Sequence, residues 1–158
     1  MNNFYTDNEI MKKVHISLEV LFKNDLFLIE NLVHERSIAH KLAEYLQHEF
    51  PDWNVDCEYN KKDRDTKILD EINECSKDRK KDIVYPDIII HKRDTDCNLL
   101  VIEIKNNKEA PCDIKKLELF TSNVLDYKYK MGLFIKFYKK RKPDLVWFID
   151  GKEVERED

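Results

Sequence analysis

The sequence lacks any apolar run long enough to cross a bilayer. Its two longest, around Val84–Ile90 and Leu99–Ile104, are a fraction of the ~20 residues a spanning helix needs. No charged-then-apolar leader opens it, so the expectation is a cytoplasmic protein without a membrane partner. Cysteine is sparse and never paired as Cys-x-x-Cys: Cys57, Cys75, Cys97 and Cys112 stand alone, and reduced thiols are expected. None of them is spaced with His15, His34, His40, His48 or His91 as a zinc site would require. Internal repeats are missing. A large positive excess is missing too, because the net charge is −4, which argues against coating nucleic acid by bulk electrostatics.

What is present is charge of both signs, 38% of 158 residues. That length and composition suit one domain, residues 1–158, with a modest core under a well-solvated surface. Residues 1–30 read as an N-terminal helical extension. Ile10, Val14, Ser17, Leu18 and Leu21 recur at helical spacing over 8–22, and 26–29 is a short apolar stretch of undetermined form. A second helix begins near Asn31 as cap and carries Val33, Ser37, Ala39, Leu42, Ala43, Leu46 and Phe50 on one side, ending at Pro51-Asp52. Residues 53–59 alternate as a half-buried strand. Residues 60–82 are almost wholly charged and read as a solvated insertion.

Val84-Tyr85-Pro86-Asp87-Ile88-Ile89-Ile90 and Leu99-Leu100-Val101-Ile102-Glu103-Ile104-Lys105 then read as a hairpin about Asp94–Asn98. With the turn centred near Thr95, Asp87 falls opposite Glu103. Alternation puts Glu103 and Lys105 on one face and Ile102 and Ile104 on the other. A third helix starts at Pro111, with Ile114, Leu117, Phe120, Thr121, Val124 and Leu125 on its buried side. Strands at 131–137 and 145–149 follow, ending at Asp150-Gly151, and 152–158 is a polar tail. An antiparallel meander followed by a strand–helix–strand crossover predicts a mixed sheet covered by helices.

Two carboxylates and an amine gathered at the end of two apolar strands are costly beside a core unless a cation or a phosphate answers them. Mg²⁺ or Mn²⁺ takes such oxygens, with Asp87, Glu103 and the main-chain carbonyl of Ile104 as candidate ligands. Lys105 on the same side would meet phosphate charge or hold an attacking water. Glu35, in the first turn of the second helix, either completes this site or is an ordinary favourable charge at a helix start. Each feature alone has such a plain reading: Asp87 opening a strand, Glu103 and Lys105 an exposed pair.

Pro86-Asp87, fifteen residues, then Glu103-Ile104-Lys105, with Glu35 on an upstream helix, resembles the PD-(D/E)XK nuclease-like superfamily. The resemblance covers roughly residues 31–137. Its small bacterial members include sequences similar around Asp56-Cys57-Glu58-Tyr59-Asn60. It implies an α/β fold: a restriction-endonuclease-like mixed β-sheet with an α-β-β-β-α-β core, flanked by helices and here preceded by an extra one. It implies Mg²⁺-dependent hydrolysis of DNA phosphodiesters, RNA not excluded. Asp87 and Glu103 would be metal ligands, Lys105 the catalytic lysine and Glu35 the helical acid.

Nucleic-acid contacts are expected from Arg36, from Lys115 and Lys116 at the start of the third helix, and from Lys139, Lys140 and Arg141. The last three belong to a stretch, 127–143, that has basic and aromatic residues interleaved and no acid. A solvated strand end is its plainer reading. Without a separate recognition domain, strong sequence specificity would come from a homodimer or a partner protein. The rival expectation is a catalytically silent nucleic-acid-binding or protein-interaction module.

Overall fold

The computed structural model describes residues 4–58, 85–123 and 128–155. The 60–82 insertion, Val124 and Leu125 lie outside the described residues. Helix α1 (Asp7–Asn24) begins in a capping box: Thr6 Oγ1 accepts from the Glu9 N–H, and the Glu9 carboxylate accepts from the Thr6 N–H. Its buried stripe is Ile10, Val14, Ser17, Leu18 and Leu21, as the spacing predicts. The undetermined stretch after it is a short helix, α2 (Leu26–Glu30).

Helix α3 (Glu35–Glu49) starts later than expected. Its cap is His34, whose Nδ1 accepts from the Arg36 N–H, while Asn31 donates instead to Phe27 O at the end of α2. Ile38 is buried in phase with Leu42 and Leu46, whereas Ser37, expected on the apolar side, is exposed.

The strands form one six-stranded sheet in sequence order: β1 (Asn54–Cys57), β2 (Ile88–His91), β3 (Asn98–Asn106), β4 (Met131–Phe137), β5 (Asp144–Ile149) and β6 (Lys152–Glu153). β1, β2 and β3 are antiparallel neighbours. Helix α4 (Pro111–Thr121) then crosses over, so that β4 pairs parallel to β3, and β5 and β6 return antiparallel. The sheet is mixed, and the order α3–β1–β2–β3–α4–β4 stands at its centre. Strand β6 was not expected. Asp150 and Gly151 both have positive φ, 52° and 77°, as the two central residues of a tight hairpin turn need, so the tail folds back onto β5.

The sheet buries both faces. Leu100, Ile102 and Ile104 of β3 join Ile88 and Ile90 under α1 and α3, where Leu42, Leu46 and Phe50 are fully buried. Each such side chain is worth roughly 1.5–3 kcal/mol of transfer free energy. The other face carries Ile89, Val101, Phe134 and Phe148 beneath Leu117 and Phe120 of α4. Gly132 permits this approach: a Cβ there would meet Thr121 Cγ2 at 3.0 Å. Phe137 is buried beside Phe22, which removes it from the surface aromatics. Cys57 and Cys97 are free, but Cys112 at the start of α4 is disulfide-bonded, which departs from the expectation of reduced thiols. Among the described residues no helix is long and apolar enough to cross a membrane.

Candidate active site

The β2–β3 register, Ile88↔Ile102 and Ile89↔Val101, places Asp87 opposite Glu103 one step further on. Asp87 lies just before β2, where the pairing gives out. Its Oδ2 accepts the Ile104 N–H at 2.8 Å, so the carboxylate takes over a ladder bond that the strand no longer supplies. In an extended strand the N–H and C=O of one residue point to the same edge. The Ile104 carbonyl therefore faces the Asp87 side.

Glu103 shares the α4 face of the sheet with Val101 and is 1% exposed. Its carboxyl hydrogen-bonds that of Asp87. Burial drives Glu103 well above the ordinary carboxylate range, with Asp87 and Asp113 adding to the shift and Lys116 opposing it. Burial also raises Asp87, against the Ile104 N–H bond. Two carboxyls so close titrate as one pair, and burial makes that pair take up a proton at higher pH than exposed carboxylates do.

Helix α4 lays two further charges on this pair. Lys116 Nζ is 3.3 Å from Glu103 Oε1 and 3.1 Å from Asp113 Oδ1. Asp113 is buried, and its Oδ2 lies 3.4 Å from Lys105 Nζ, which in turn lies 3.9 Å from Glu35 Oε2. The result is one connected row, Glu35, Lys105, Asp113, Lys116, Glu103 and Asp87, ending in two adjacent carboxyls. Burial acts to lower both ammoniums, but the carboxylates around them outweigh it: Asp113 and Glu35 raise Lys105, and Glu103 and Asp113 raise Lys116. Glu35 is also anchored to the end of β3, because its Oε1 accepts the Asn106 N–H at 3.1 Å while Asn106 Nδ2 donates to Val33 O. Three elements thus fix the row: the start of α3, the β2–β3 edge and the first turns of α4.

The four residues expected from the sequence, Glu35, Asp87, Glu103 and Lys105, are brought to one end of the sheet. Lys116 is brought there as well, although it was expected as a surface contact to phosphate. Its ammonium is turned inward, with the side chain 17% exposed. Asp113 was missed. The signal was its spacing: 113, 117 and 120 form the buried stripe of α4, and a carboxylate on such a stripe needs cations nearby. Among the described residues no group of three or more His, Cys, Asp or Glu converges as a metal cage. The lysines stand between the acids instead.

The remaining expected contacts are dispersed. Arg36 pairs with Glu58 at 2.8 Å on the surface. Lys115 is half-buried on α4 beside Lys116. Lys139, Lys140 and Arg141 are exposed in the β4–β5 loop, and Arg141 lies over the Tyr138 ring and bonds Asp144 at 2.7 Å. That loop leaves the same end of the sheet as the acidic row, since β3 and β4 are parallel and Asn106 pairs with Phe137. Elsewhere in the basic stretch, Lys130 donates to Tyr5 O and Lys136 pairs with Glu109, so those two cations are committed within the fold.

Compared with protein-family models, curated proteins and solved structures, the chain has no match.

Proposed function

We propose that this chain is a divalent-metal-dependent nuclease that hydrolyses DNA phosphodiester bonds, built on the restriction-endonuclease-like core that its resemblance to the PD-(D/E)XK superfamily implies. One observation carries the reading. Asp87 and Glu103 face each other across the end of β2 and β3, with Lys105 on the same face. The order α3–β1–β2–β3–α4–β4 supports it.

The donor set suits a hard cation. Two adjacent carboxyls and the edge carrying the Ile104 carbonyl offer oxygen only, and Mg²⁺ needs just one or two carboxylates beside water and phosphate. Asp87, Glu103 and the Ile104 carbonyl would hold Mg²⁺ or Mn²⁺, with Glu35 at the far end of the row. The chemistry such an ion supplies is Lewis-acid polarisation of the phosphodiester. Lys105 has a different part. Its ammonium, braced by Asp113 and Glu35, is positioned to bind a phosphate oxygen or orient the attacking water. Lys139 and Lys140, exposed at the same end, would take the flanking backbone.

The test is a panel of single-stranded, duplex and branched DNA and RNA with Mn²⁺. Wild type should cleave at least one DNA substrate, and Asp87→Ala and Lys105→Ala should each abolish cleavage. A wild type inert on every substrate sinks the enzyme reading. The second reading, a silent binding or interaction module, rests on Lys116 already answering the Glu103 carboxyl. It requires that Asp87→Ala leave nucleic-acid or partner binding intact while no metal dependence is found.

A further inference from the structure

Resting on the metal-site reading above, we infer that Lys116 is a built-in counter-cation that competes with the divalent ion for Glu103. The geometry distinguishes it from an ordinary ion pair. Lys116 reaches Glu103, which is 1% exposed, from helix α4 at 3.3 Å, and its own side chain is 17% exposed against 31% for Lys105. A cation bound by Glu103 and Asp87 would sit within a few ångströms of the ammonium, with little water between them to screen the repulsion. Repulsion between the two cations would weaken the hold of each on the shared carboxylate.

Asp113 makes the arrangement workable. Its Oδ1 holds Lys116 at 3.1 Å independently of Glu103. Its Oδ2, buried and without a hydrogen-bond partner beyond the ion-pair distance to Lys105, has acceptor capacity in reserve. Lys116 therefore has a second carboxylate on its own helix, one turn away, when it gives up Glu103. Lys116 offsets part of the negative charge of the metal-free site, and ion binding exchanges this internal cation for an external one.

The test is Mn²⁺ binding to the full chain, followed by electron paramagnetic resonance rather than by cleavage. Lys116→Met should bind Mn²⁺ at least tenfold more tightly than wild type, and Lys116→Arg, which keeps the charge, should not. Lys105→Met controls for the general field. It removes an ammonium from the same row, but one that contacts Asp113 and Glu35 and not Glu103, and it should change affinity less than threefold. Equal gains in the two methionine variants, or no gain at Lys116, overturn the inference. Should Lys116→Met not fold, the wild-type protein still decides: the NMR signals of the Lys116 ε-methylene should shift on Mg²⁺ addition, and a static signal overturns the inference. Asp87→Asn separates this from the parent reading. If wild type binds Mn²⁺, Asp87→Asn does not, and Lys116→Met gains nothing, only the counter-cation fails. If wild type and Lys116→Met both bind none, the metal site fails and the inference with it.

Discussion

Replacing Lys116 by methionine keeps the unbranched side chain up to its ε position and removes one charge from between two buried acids. At 3.3 Å from Glu103 and 3.1 Å from Asp113, each interaction is worth about 5 kcal/mol before desolvation at an effective dielectric of ~20. Dehydrating the ammonium cancels most of that. The substitution, however, does not restore the water; it leaves the carboxyls buried without their cation, and removing one partner of a buried pair costs ~3–5 kcal/mol. Lys116 is 17% exposed and Asp113 keeps Lys105, which together put the expected loss at the lower end, about 3 kcal/mol. For a chain of this size that corresponds to a fall in melting temperature of roughly 6–12 °C. The assay is urea unfolding with EDTA at pH 7, followed by fluorescence of buried Trp147. Exposed Lys139→Met should stay within ~0.5 kcal/mol of wild type. The deficit at Lys116 should also shrink as pH falls, starting above the ordinary carboxylate range because Glu103 is already raised, since protons then replace the missing ammonium. A loss below ~0.5 kcal/mol at pH 7, or one that does not change with pH, would mean the ammonium is hydrated, and the buried row would have to be abandoned.

Three further outcomes follow from the same structure. Burial raises Glu103 in the folded chain, so between its ordinary value and its raised one the folded state binds more protons than the unfolded state, and metal-free stability falls as pH rises through that window. Glu103→Gln should flatten this decline in EDTA-treated protein, and an unchanged slope would place the proton elsewhere. Gly151 has φ of +77°, and a Cβ there would sit 3.3 Å from Glu118 O, so Gly151→Ala should cost about 1–2 kcal/mol in thermal melting; a neutral result would contradict the β5–β6 turn. Lys139→Ala with Lys140→Ala should weaken binding of a labelled duplex in anisotropy titrations and lower the salt slope by about 0.9 for each phosphate no longer neutralised. An unaltered slope would remove the β4–β5 loop from the nucleic-acid interface.

The parts of this fold that the sequence shows are those whose environment is set by periodicity alone. The stripe of α1 is legible residue by residue because Ile10, Val14, Ser17, Leu18 and Leu21 face one apolar surface and nothing competes with the 3.6 period. The pairing of Asp87 with Glu103 is legible because a short turn centred near Thr95 sets the register, and the irregularity between Ile90 and His91 falls on the turn side of the pairs that matter. The start of α3 is less legible. Asn31 is the better cap by type, but it is used to close α2, and the histidine at 34 takes the position because Leu32, at φ of 41°, turns the chain between the two helices. Strand β6 escapes notice because it is too short to show alternation, although Asp150-Gly151 carries the turn signal. Asp113 and Lys116 are the instructive cases. Charge at helix positions normally means solvent, and each residue by itself fits that reading. Their burial is possible only because each supplies what the other, Lys105 and Glu103 require, and those partners arrive from a strand that precedes the helix in sequence and lies against it only in the fold. A carboxylate in phase with Leu117 and Phe120 is the trace such a network leaves in one dimension. Its meaning depends on which cations the topology brings across from it, and that is settled by the parallel crossover from β3 through α4 to β4.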